Sequence, residues 1–242
     1  MIEAFRFLFA PPRHLILLLA ALWLGLYLSE KRVGRHRISK EALNNMIYYS
    51  ILGYVIGGRV LFALANVSAF AQSPFSIFSI NIDLFDPVGA FVTGLLVGFV
   101  YGQRQELPLW PTLDGLTPLF AALGIGLSLS HLAAGTAYGS PTELPWGIDL
   151  WNATRHPSQI YEVIASLIIF GLIWFRKTNS QAGFDFLFFV ALTAGARLLL
   201  EAFRGDSTLI FGGIRLAQVI AWILLAVALF VSEVIRREET VS

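Results

Sequence analysis

The chain has 242 residues, 56% hydrophobic and only 14% charged, with a net charge of +1 and no cysteine. A soluble domain is about a quarter charged, so this composition leaves too little polar surface for a water-exposed fold and points to the membrane class. Near-neutrality excludes the basic field that draws nucleic acid, and the missing cysteine excludes disulfides, thiolate catalysis by this chain and cysteine-ligated metals.

The first apolar run, residues 15–29 (LILLLAALWLGLYLS), is followed by the basic stretch SEKRVGRHR and no small-residue cleavage site. It therefore reads as a retained first span. Six more apolar stretches follow at 46–67, 88–102, 116–134, 160–175, 184–200 and 216–235. Several are shorter than the ~20 residues a span needs, so flanking Trp, Tyr and polar residues must complete them. The expected fold is an all-α integral membrane protein of about seven transmembrane helices, six if 88–102 only dips into the bilayer. Residues 1–242 read as a single polytopic domain. Glycines 53, 57, 58, 89, 94, 98, 124 and 126 lie within the spans, where small residues let helix backbones approach closely.

Lys and Arg set the orientation. With alternating helices, one side receives Lys31, Arg32, Arg35, Arg37, Lys40, Arg104, Arg176, Lys177, Arg236 and Arg237, and the other receives Arg6, Arg13, Arg155, Arg204 and Arg215. Ten against five puts the N-terminus outside and the C-terminus in the cytoplasm. The outer arginines Arg155 and Arg204 run against that trend and need another reason to be there.

Ionisable residues inside the spans are the next signal. Arg59 lies in the second (GYVIGGRVLF), and ARLLLEAFRGD at the end of the sixth carries Arg197, Glu201 and Arg204. A charge at the bilayer centre costs about 2.5–3.5 kcal/mol even on forgiving scales. Offsets of four and seven place Arg197, Glu201 and Arg204 on one helical face, where Glu201 is expected to pair with both arginines. The plain reading is a structural ion-pair ladder. The functional one is a cationic pocket for a phosphate-bearing ligand, which suits the planar, permanently charged guanidinium. His131 stands among small apolar residues, as either a satisfied structural histidine or a base. Tyr138 and Gly139 open an ordered outer loop that runs through a Pro-rich turn. The stretch RHPSQIYE then brings Arg155, His156, Gln159, Tyr161 and Glu162 to the mouth of the fifth span. Pro157 fits the first turn of that helix, with Ser158 and Gln159 serving its free donors. No nucleotide loop, zinc motif or calcium loop is present, and the four histidines show no ligand spacing.

RHPSQIYE resembles the HPSQ-Y-E signature of the prolipoprotein diacylglyceryl transferase family. So do YSILGYVIGGRVLFALAN around Arg59, PTLDGLTP around Asp114, AYGSPTELPWG, RLLLEAFRGD and the late Gln218. These pieces occur in the family's order and cover roughly residues 48–218. The resemblance implies a multi-pass enzyme of the bacterial plasma membrane, working with the lipid bilayer and with no metal or cofactor. Its substrates would be phosphatidylglycerol and the signal peptide of a lipoprotein precursor. The diacylglyceryl group would move to the lipobox cysteine thiol, and glycerol phosphate would leave. In those terms Arg197, then Arg155 and Arg204, grip the phosphate, with Arg59 a further candidate, and Glu201 orients an arginine. His156 or His131 takes the thiol proton. Gln159, Tyr161, Glu162, Tyr138 and Gly139 line the substrate. The chain also departs from the family. FDPVGAFVTG lacks the His-Gly-Gly that opens the family's third span. Ser128, His131, Ala134 and Thr136 stand where its fourth-span motif has Arg, Asn, Asn and Glu, and only Gly135 survives of the central group. His131 is the candidate to replace the lost histidine from a neighbouring helix. Two other readings stay open: a divergent paralogue acting on another acceptor, and a non-catalytic lipid-binding membrane subunit.

Overall fold

A computed structural model describes residues 2–36, 38–79, 81, 83–177, 181–210 and 212–241, the last four as helix backbone only. Its helices are α1 (Ile2–Leu8), α2 (Leu15–Val33), α3 (Lys40–Ala65), α4 (Val67–Gln72), α5 (Pro87–Arg104), α6 (Leu109–Ala134), α7 (Ser158–Phe175), α8 (Phe184–Leu200) and α9 (Leu216–Val241). Two short antiparallel hairpins, β1 (Ile148–Leu150) with β2 (Ala153–Arg155) and β3 (Leu209–Ile210) with β4 (Ile214–Arg215), lie in the loops before α7 and α9. Every predicted apolar stretch is a helix. Five helices are long and apolar enough to cross a membrane: Lys40–Ala65, Leu109–Ala134, Ser158–Phe175, Phe184–Phe203 and Leu216–Arg237. α2 ends in Glu30, Lys31 and Arg32, and α5 carries four glycines and closes on Gln103 and Arg104, which keeps both outside that set. The exposure pattern is that of a bundle in lipid. Trp222, Phe230, Leu199 and Phe91 are exposed, while Ser29, Thr117, Ser128 and Glu201 are buried. The protein is an all-α integral membrane protein.

The chain forms two compact units, residues 37–112 and the remainder. In the 37–112 unit, α3 and α5 pack backbone to backbone. Thr93 Oγ1 donates to the Gly53 carbonyl across that contact (3.2 Å), and a Cβ on Gly57 would overlap it. Arg59 belongs to this unit and donates to the carbonyls of Ser79 and of Leu84 (2.7 Å).

The second unit holds α2, most of α6, and α7 to α9. Just over half of the apolar segment of α6 (56%) is buried, against 11–28% for α7, α8 and α9, so α6 is the most enclosed of these helices, while α8 packs on α9 and α7. Pro118 inside α6 removes one donor from the helix ladder, and the neighbouring Leu119 N–H donates to Ser29 Oγ of α2 (3.1 Å). Asp114 of α6 caps another helix. Gly183, at the N-cap of α8, has no side chain, and the Asp114 carboxylate accepts from the N–H groups of Gly183 (2.5 Å) and Phe186 (2.9 Å) in its place. Arg32 of α2 does the converse at the end of α7, donating to the carbonyls of Ile173 (2.8 Å) and Trp174, groups a helix leaves unpaired. The basic residues after α2 and after α7 thereby share one end of this unit, as alternating helices require.

Candidate functional site

At the other end of α7, Glu162 is the hub. Its carboxylate is largely buried, with 11% of the side chain exposed. Oε1 accepts from Arg197 Nη1 (3.0 Å) and Arg204 Nη1 (3.2 Å), and Oε2 stands 3.4 Å from His131 Nδ1. Three separate segments of this unit therefore converge on one carboxylate: α6 through His131, α8 through Arg197 and the turn after α8 through Arg204. Arg197 Nη2 also lies 2.9 Å from Glu201 Oε2, and Arg204 is held by Asp206 Oδ1 at 2.8–2.9 Å. Arg215 donates to the carbonyls of Glu201 and of Arg204 (3.0 Å).

Glu201 does not pair with both arginines as the sequence suggested. It holds Arg197 alone. α8 ends at Leu200, a 3-10 turn spans Glu201–Phe203, and Arg204 is already extended at φ −79°, ψ 141°. The single helical face therefore stops before it reaches Arg204, whose counter-charges are Glu162 and Asp206.

The stretch RHPSQIYE lays a second layer against this cluster. The Arg155 Nε donates to the Leu150 carbonyl (3.0 Å) and Nη1 to that of Gly139 (3.2 Å), with the guanidinium 5.0 Å from the Tyr138 ring. These bonds tie β1, β2 and the 138–141 loop together. Trp151 and Asn152, both at positive φ, form the two-residue turn between the strands, as left-handed hairpin turns require. The backbone of Gly139 pairs with Arg204, and Gly205 N–H donates to the Tyr138 carbonyl (2.9 Å). A Cβ on Gly139 would land on the His156 carbonyl oxygen, so only glycine fits there. The His156 ring packs at a tilt against Phe203 (5.2 Å between centroids, 56° between planes) and edge-on to Tyr161 (6.3 Å), and the Tyr161 hydroxyl accepts from Trp146 Nε1 (2.8 Å).

The helix start also differs from expectation. Pro157 occupies the N-cap of α7, and no side chain caps that end. Ser158 Oγ and Gln159 Nε2 instead donate backwards, to the carbonyls of Ala137 (2.7 Å) and Thr136 (3.0 Å). They fasten the loop to the helix, because buried loop carbonyls need donors more than the helix start needs acceptors. Gln159 Oε1 and His156 Nδ1 are buried with no hydrogen-bond partner among the described residues.

Of the predicted site residues, His131, Glu162, Arg197, Glu201 and Arg204 form one connected network. Tyr138, Gly139, Arg155, His156, Gln159 and Tyr161 form the adjoining loop layer, and Arg59 lies in the other unit. Asp206 and Arg215 were missed. Asp206 sits two residues after Arg204, and Arg215 is one of the five outer cations, so both had a sequence signal. Among the described residues, no group of three or more His, Asp or Glu side chains is placed to hold a metal ion.

A family model described as prolipoprotein diacylglyceryl transferase matches residues 13–233. The chain is 27% identical over 224 residues to the phosphatidylglycerol–prolipoprotein diacylglyceryl transferase of Trichormus variabilis, covering 85% of this chain and 79% of that one. It is 29% identical over 212 residues to the protein of that name from Clostridioides difficile (86% and 84% covered). The corresponding figure for Corynebacterium glutamicum is 25% over 240 residues (88% and 76% covered). Fold, polar cluster and sequence agree: this chain belongs to the prolipoprotein diacylglyceryl transferase family, and is a transferase of the bacterial membrane.

Proposed function

We propose that the chain transfers the diacylglyceryl group of phosphatidylglycerol to the lipobox cysteine thiol of a lipoprotein precursor at the outer membrane face, on a seven-span fold with its N-terminus outside. The thiol gives up its proton, the sulfur forms a bond to the glycerol carbon, and the carbon–oxygen bond to phosphate breaks. Glycerol phosphate leaves with the electron pair. The thiolate is the nucleophile, and this chain has no cysteine of its own to compete with it.

The observation that carries the reading is that one carboxylate, Glu162, holds two guanidinium groups and an imidazole together. The arginines supply what the leaving phosphate needs, fixed positive charge in a place where water is scarce. The histidine supplies a base. With Nδ1–H directed at Glu162, His131 presents the lone pair of Nε2, and the carboxylate stabilises the imidazolium that forms. His156 is the weaker base candidate, since no carboxylate orients its ring and its contacts are aromatic. Gln159 Oε1 and His156 Nδ1, buried and unpaired, are positions where a polar substrate group would complete a hydrogen bond. Arg155 organises the loop layer, with Nε and Nη1 committed to carbonyls.

The test is purified protein with phosphatidylglycerol and a lipobox peptide, scored by the peptide's gain in mass. Added diacylglycerol that disappears in Arg197→Ala and falls steeply in His131→Ala, with both variants still membrane-inserted, is the expected result. Unchanged product in Arg197→Ala removes the phosphate-gripping role. Failure of the wild type on the peptide, with transfer to another thiol, favours the divergent-acceptor reading that Ser128 and Thr136 invite.

A further inference from the structure

At the end of the second unit opposite Glu162, a cavity of about 560 Å³ is lined by Lys31, Arg32, Arg35, Trp174, Phe175, Arg176 and Lys177. Five cations and two aromatic rings, with no carboxylate among them, face one space. Sequence distance separates the two groups, and the fold joins them through Arg32, which is 7% exposed and locked onto the last carbonyls of α7. Its guanidinium also lies 4.7 Å from the Trp174 ring centroid. Arg176 lies 4.5 Å from the Phe188 ring and 3.7 Å from Asp185 Oδ1, with Nη1 buried and without a hydrogen-bond partner among the described residues. These two make a fixed floor, while Lys31, Arg35 and Lys177 stand exposed around it.

Membrane topology explains why basic residues collect at this end. The cavity lining itself carries five positive charges and no carboxylate, which suits an anion there. The volume lies within the range of small-ligand pockets, and the exposed Phe175 ring beside the cations suits a ligand with a charged head and an apolar body.

We propose that this cavity is a second anion site, for the phosphate ester of an anionic lipid in the leaflet opposite the Glu162 cluster. Fourteen residues of α7 separate Glu162 from Arg176, about 21 Å at 1.5 Å per residue, so one headgroup does not reach both. The shared chemistry is a phosphate ester, and its source is either a lipid or a soluble ester.

The experiment uses the full chain in phosphatidylcholine nanodiscs, in the Arg197→Ala background so that the other candidate phosphate site drops out of the count. Binding of added phosphatidylglycerol, and separately of glycerol phosphate and inorganic phosphate, is followed by native mass spectrometry. Lys31→Gln with Lys177→Gln is expected to weaken phosphatidylglycerol binding about 30-fold, at about 1 kcal/mol for each lysine near the surface. Lys31→Arg with Lys177→Arg, which keeps charge, is expected to retain it. Lysine-dependent binding of the soluble phosphates alone would keep the anion site and overturn the lipid as its source. Equal binding by wild-type and Gln chains in every arm would overturn the site itself. Transfer activity is not the readout, so the outcome is independent of the proposed reaction.

Discussion

Replacing Glu162 by Gln keeps the volume of the hub and removes its charge. Each arginine it holds retains a second carboxylate, Glu201 at 2.9 Å for Arg197 and Asp206 at 2.8 Å for Arg204. The cost is therefore below the ~3–5 kcal/mol of orphaning a buried charge. What is lost is the difference between a charged and a neutral acceptor for two bonds, roughly 1 kcal/mol each or somewhat more. Arg197 is 35% exposed and its bond is partly screened by solvent, whereas Arg204, at 12%, is not. We therefore expect about 2 kcal/mol of destabilisation, read as roughly 4–8 °C in Tm for a chain of this size. Unfolding in mixed micelles followed by tryptophan fluorescence measures it. A cycle with Arg204→Met isolates the shared bond and should return a coupling of about 1 kcal/mol or more. A Tm within about 1 °C of wild type, together with additive single effects, would show that the hub does not hold these arginines, and the site as described would have to be abandoned.

Gly139→Ala forces a Cβ onto the His156 carbonyl and should cost about 2–3 kcal/mol through a backbone shift; limited proteolysis within residues 136–157 should quicken, and unchanged cleavage contradicts the close approach. Asp114→Asn leaves one acceptor for two N–H groups and should cost about 1–2 kcal/mol, seen as faster hydrogen exchange at Gly183 and Phe186. His36 titrates below the ordinary histidine value of 6.5 chiefly through burial; Asp114 and Asp185 oppose the shift, and Arg32 and Arg35 add smaller contributions to it. The folded chain thus binds fewer protons than the unfolded one just below that value, so stability is lost as pH falls through about 6.5 and is flat above it; the difference in Tm between wild type and His36→Gln should shrink along that same course.

The helices were legible because a bilayer demands long apolar segments, and each predicted apolar stretch is helical. Their starts were less so. α3 begins at Lys40 and α6 at Leu109, six and seven residues ahead of the apolar runs at 46 and 116. In α3 Ser39 is the cap, accepting from Ala42 N–H at 3.4 Å. In α6 the polar residues turn inward, with Thr112 Oγ1 donating to the Pro108 carbonyl (2.6 Å) and Asp114 serving α8. Hydropathy discounts such residues, although a helix absorbs them by bonding them to backbone. The pair Arg197–Glu201 was legible from its spacing of four. The Glu162 hub was not, because its partners lie 31, 35 and 42 residues away, and only tertiary structure decides which carboxylate meets which guanidinium.

That distinction bears on how a site full of counter-ions grips an anion. Arg204 is clamped between Glu162 and Asp206 and 12% exposed, and its peptide pairs with Gly139. Freeing it would break both ion pairs and disturb the loop layer. Arg197 bonds Glu162 through Nη1 and meets Glu201 through Nη2, yet keeps a third of its side chain exposed. A guanidinium carries five N–H groups, so donors remain beyond those two contacts. Carboxylates behind such a group hold its plane still and leave its outer edge to the ligand, the preorganisation that makes fixed charge effective against a departing phosphate. On the proposed reaction, Arg197 then grips while Arg204 positions. The two part experimentally: Lys at 197 keeps the charge but loses the fork and should depress turnover with little change in stability, while Lys at 204 should lower stability first. Equal loss of turnover at equal stability in both variants would place the two arginines in the same role and undo that division.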